Sequence, residues 1–121
     1  MSNAAQAYSR TSQTTGAPRD IEAQALLKAA KQLRDVQSNW TGPTANMHKA
    51  LLFNRRLWSI FMSAAETKDN PQPPEVRQNI LRIATFVMRQ TVDMQLDPNP
   101  EKLKSLISIN CNIAAGLAGR A

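Results

Sequence analysis

The side chains that first invite a chemical role are His48, Cys111 and the adjacent pair Arg55 and Arg56, with the amides Asn54 and Asn110 beside them. Catalysis needs titratable groups that converge. His48 is the sole histidine, and no carboxylate or cysteine stands at a spacing that would support it, so it is expected on a helix flank at the surface. Cys111 is the sole cysteine, which excludes an internal disulfide and suits a reducing cytosol. It falls at the edge of an apolar helical face and reads as a small hydrophobe. The chain carries no HExxH, CxxC, GxGxxG or P-loop pattern, and its four glycines cannot supply a phosphate cradle. Neither catalysis, nor a metal, nor another cofactor is expected.

The arginine pair sits in "NRRLWSIF", Asn54 to Phe61, among bulky apolar residues. At helical spacing the apolar neighbours turn inward and Arg55 and Arg56 turn outward. Fifteen Lys and Arg against nine Asp and Glu give a net charge of +6. These cations are dispersed and never run beyond two in a row, unlike the clustered patch of a nucleic-acid binder. Asn54 and Asn110 lie at the centres of apolar arcs, where an amide is costly unless its hydrogen bonds are met. Two readings stand: each serves backbone carbonyls at a helix crossing and fixes register, or each borders a groove and binds a partner backbone.

These residues need helices to position them, and the composition favours helices, being rich in Ala, Leu, Ile, Met, Gln, Lys and Arg and poor in Gly. Residues 1–17 are polar and read as an arm with room for a short helix around Tyr8. Residues 18–121 read as one all-α domain, a small bundle of four helices. The first opens at Pro18 and stops near Ser38, with Ile21, Ala25, Ala29, Leu33, Val36 and Trp40 on one side. The second follows Thr44 as N-cap and runs to about Glu66, with a wide apolar arc from Met47 through Leu57, Trp58, Ile60 and Phe61 to Ala65. The third opens at Pro74 and lasts to about Met94, with Val76, Ile80, Ile83, Val87 and Met94 inward. The fourth is capped by Asn99, with Pro100 first, and ends by Gly116 or Gly119. Short, proline-marked loops predict sequential antiparallel packing. No apolar run nears the roughly 20 residues of a membrane span, and the N-terminus lacks the apolar core of a signal peptide.

The third helix carries a second apolar stripe, Leu81, Met88 and Val92, about 120–160° from the first. Either it packs on a neighbour, or it forms an exposed wall suited to another polypeptide.

"NRRLWSIF", "VRQNILRIATFVMRQT" and "LISINCNIAAGL", in that order and spacing, together with "AYSRTSQTTGAPRDIEAQAL" at the start, resemble the FlaF family of flagellar biosynthesis regulators. The resemblance spans most of the chain. It implies a cytoplasmic protein of flagellated alphaproteobacteria, a role in flagellin production and export beside the partner regulator FlbT, and the behaviour of a flagellin chaperone. On that footing flagellin is the expected partner, held by a terminal helical segment in an apolar groove. Trp58, Phe61, Leu81, Met88 and Val92 are expected to line or underlie that groove, with Arg55 and Arg56 on its rim. The alternative is an RNA-associated regulator of flagellin synthesis, acting directly or through FlbT; it would need clustered cations and an aromatic stacking platform.

Overall fold

The computed structural model describes residues 17–119. Four helices follow one another: α1 (Ala17–Ser38), α2 (Ala45–Glu66), α3 (Pro74–Leu96) and α4 (Leu103–Leu117), the last entered through a 3₁₀ turn at Pro100–Lys102. The arm expected around Tyr8 lies outside the described residues. Local signals set the boundaries. The Thr44 hydroxyl accepts from the Met47 amide at 3.2 Å and starts α2. The Asn99 side chain accepts from the Glu101 amide at 3.0 Å and starts the final turn-and-helix. Pro74 occupies the first turn of α3, where a missing N–H costs nothing. Gly42 takes φ +108° in the α1–α2 turn, a conformation that side chains resist.

α4 packs chiefly on α1, α2 packs chiefly on α3, and α1 and α2 also meet along their length. α3 and α4 share far less surface, and their polar links gather at Lys102. There the Lys102 ammonium reaches Asp93 at 3.0 Å and Asp97 at 3.1 Å, while the Gln90 amide donates to the Lys102 carbonyl. Desolvation works against the Lys102 charge, but the two carboxylates outweigh it and its pKa is raised. The fourth side of the bundle is thus pinned at one end.

The core is built from Leu26, Leu33, Met47, Leu51, Trp58, Val87, Met94, Leu103 and Leu106, all fully enclosed. Burying each such side chain contributes roughly 1.5–3 kcal/mol. The inward faces differ in part from those the periodicity suggests. In α1 the sealed row is Ala23, Leu26, Ala30 and Leu33, whereas Ile21 is exposed. Ala23, Ala29 and Ala30 are buried along with Leu26 and Leu33, so small residues mark the enclosed side of α1 as much as large ones do. Ile60 and Val76, expected inside, are exposed; α3 buries Ala84 and Thr91 with Val87 and Met94.

Candidate protein-binding face

Two groups of the residues singled out above occupy opposite environments. The first is sealed. Asn54, Trp58 and Asn110 are all buried and joined across the bundle. The Trp58 indole N–H donates to Asn110 Oδ1 at 3.0 Å, and Asn110 Nδ2 donates to Asn54 Oδ1 at 2.6 Å and to the Leu26 carbonyl at 3.4 Å. One amide of α4 thereby ties α4 to α2 twice and to α1 once. Asn54 Nδ2 has no partner among the described residues. The side-chain bond to Trp58 was not foreseen from the sequence. Trp58, at 1% exposure, lies beneath the surface, and Phe61 stacks edge-on against it with ring centroids 5.2 Å apart.

The second group is open. The Lys28 ammonium stands 5.4 Å from the centre of the Phe53 ring, which puts α1 on that flank of α2. α3 therefore takes the other flank, the one bearing Arg55, Ser59 and Met62. On α3, Phe86 and Gln90 face a trough shared with Lys104 and Ser105 near α4. The Arg77 guanidinium, one turn before Leu81 and on its side of α3, donates to the Thr67 carbonyl just beyond α2. Hence Leu81, Met88 and Val92 lie along the α2–α3 seam. Leu81 and Met88 are half-buried, Met88 packs on the core, and Val92 is 50% exposed. Leu96, 80% exposed, continues the row by one turn. Arg55 is exposed on the α2 edge of the seam, Arg56 is exposed further round α2 and away from the core, and Arg82 and Arg89 are exposed on the outer edge of α3.

From the sequence, Leu81, Met88, Val92 and one arginine pair were named as candidates, and Leu96, Arg82 and Arg89 were not. Their signal was the same helical period: Arg82 and Arg89 are seven residues apart and flank the stripe. His48 is exposed, as is its neighbour Lys49. Cys111 is partly exposed, with its Sγ accepting from Arg34 Nη2 at 3.2 Å. A separate cavity of about 450 Å³ lies under the α1–α2 turn, between Trp40, Gln32 and Lys49. Among the described residues no group of three His, Cys, Asp or Glu could hold a metal, and no helix is long and apolar enough to cross a membrane.

The family model described as flagellar protein FlaF matches residues 4–117. No curated protein and no solved structure matches the chain. The match takes in all four helices, the buried amide pair and the α2–α3 seam. The chain belongs to the FlaF family of flagellar proteins.

Proposed function

We propose that this protein is a flagellar biosynthesis regulator acting as a cytoplasmic flagellin-binding chaperone, one that supports flagellin secretion and filament assembly. The observation that carries the reading is the apolar row Leu81, Met88, Val92 and Leu96, left partly or largely open on a helix whose other face is sealed in the core. Flagellin ends form helices in the filament, and in the monomer their apolar faces lack partners. An amphipathic helix laid along the α2–α3 seam would cover both surfaces at once. Trp58 and Phe61 serve this reading indirectly: Trp58 is sealed and bonded to Asn110 of α4, Phe61 packs edge-on against it, and together they hold α2 in the bundle. An RNA-directed role, alone or through FlbT, has less support. Phe86 is exposed one turn from Arg82 and Arg89, but it is a single ring, and the cations of the chain are dispersed rather than gathered into a nucleic-acid footprint.

The test is retention of flagellin by the purified protein without FlbT. Val92 is the better probe than Met88, because Met88 also packs on the core. Val92→Glu is expected to weaken flagellin binding by about tenfold or more and to shift Tm by less than about 3 °C. Failure to retain flagellin would sink the chaperone reading. Retention unaffected by Val92→Glu would move the site elsewhere.

A further inference from the structure

The α2–α3 face has a charge arrangement that selects among apolar helices. We infer that its ligand is an amphipathic helix whose apolar stripe is bordered on both sides by carboxylates. The inference deepens the reading above and rests on it for the choice of face, but its chemistry comes from three arginines. Arg55 borders the seam on α2 and Arg82 and Arg89 border it on α3; all three are exposed, while Arg56, a further 100° round α2, points away from the core. None of them takes part in an ion pair among the described residues. The acids on these two helices are Glu66, Glu75 and Asp93, in their first or last turns. Glu66 closes α2, and Asp93 is held by Lys102. The middle of the face is therefore an apolar strip between two cationic edges.

Free guanidinium groups beside an apolar strip suit one ligand pattern. Carboxylates spaced along both borders of a helix meet both edges together, and each arginine can take an oxygen pair in a planar fork. Nucleic acid would satisfy the arginines but would leave the strip unfilled. A basic amphipathic helix would fill the strip and meet like charge. Electrostatics of this kind acts mostly on encounter and selectivity, so its mark is salt dependence and discrimination between ligands.

The experiment uses the full chain and three helical peptides of about 20 residues sharing one leucine stripe. Their flanks carry Glu, Gln or Lys. The Glu peptide is expected to bind about tenfold tighter than the Gln peptide at low salt, with the gap narrowing to about twofold near 0.5 M salt. The Lys peptide is expected to bind weakest. In the double variant Arg55→Glu, Arg89→Glu the order of Glu and Lys peptides should invert, with Tm close to that of the parent because both sites are exposed. Equal binding of all three peptides overturns the inference even if flagellin is retained. Steeply salt-dependent capture of a generic single-stranded RNA, in preference to the Glu peptide, also overturns it. Discrimination among the peptides without retention of flagellin supports it and removes the chaperone reading alone.

Discussion

α3 and α4 are both amphipathic, yet they distribute polarity in opposite ways. α4 carries Asn110 into the sealed centre, while α3 leaves Phe86, Val92 and Leu96 outside. Neighbours explain the contrast. α4 lies close on α1 and has Trp58 of α2 across from it, so its inner face is enclosed. α3 has α2 along its length but meets α4 mainly at the Lys102 joint, so its flanks stay open. A residue's fate here follows the number of helices around it more than its own hydrophobicity. The amide is tolerated inside because three groups on two other helices answer it. The apolar row is tolerated outside because exposing a few such side chains costs a small protein little.

The largest expected effect comes from removing the amide. Asn110→Leu keeps the size but strips the partners from the Trp58 N–H and Asn54 Oδ1. Each stranded buried group costs about 1–3 kcal/mol, so a loss of about 2–5 kcal/mol is expected in chemical denaturation. Trp58→Phe should cost less, about 1.5–4 kcal/mol, from lost volume and an unanswered Asn110 Oδ1. A double-mutant cycle with Asn110→Ala should show coupling of about 0.5–3 kcal/mol. If Asn110→Leu is as stable as the parent, the enclosed amide network is not what distinguishes α4 from α3.

How much of this contrast was legible in advance differs between the two regions. The four helices, the Thr44 and Asn99 caps and the proline-marked openings are local features, and a linear sequence displays them directly. That Asn54 and Asn110 sit at the centres of apolar faces was legible from helical period. That they meet each other and Trp58 was not, because their separations of 56 and 52 residues along the chain carry no local signal. The inward row of α1 was misplaced in part for a related reason. Ala29 and Leu33 are buried as expected, but Ile21 is exposed and Ala23 and Ala30, which periodicity weights little, are sealed. On α3 the stripe could be drawn, but which neighbour it bordered depended on packing. The borders at Arg82 and Arg89 gained meaning only once α2 and Arg55 stood across the stripe from them.

Between the two extremes lies Glu22, half-buried on α1. Burial raises its pKa, with Arg19 pulling the other way. A folded-state pKa above the unfolded one means that the folded form binds the proton more tightly. Stability from this group is then complete below the unfolded pKa and is lost as pH rises through the folded pKa. Glu22→Gln, a mimic of the protonated form, should raise Tm near neutral pH, and the advantage should close as pH falls through the ordinary carboxylate range. Melting curves of both proteins across that range check the sign. A constant gap at every pH would show that the carboxylate is as well solvated folded as unfolded.

The smallest expected effect is the most telling for the open side of the comparison. Leu96 is 80% exposed and Val92 50% exposed, so replacing either with Gln removes little buried area from the monomer. Stability should stay within about 0.5 kcal/mol of the parent in each case, since exposed positions without caps, pairs or cavities rarely exceed that. Val92 should cost slightly more than Leu96, because half of it is covered and Gln must desolvate part of its amide there. A loss above about 1 kcal/mol at Leu96 would mean that the end of the row is packed in the isolated protein. α3 would then be closed like α4, and no apolar edge would remain for another helix to cover. Near-silence in denaturation, combined with a measurable loss of ligand binding, is the pattern a recognition surface gives, because its contacts form only in the complex.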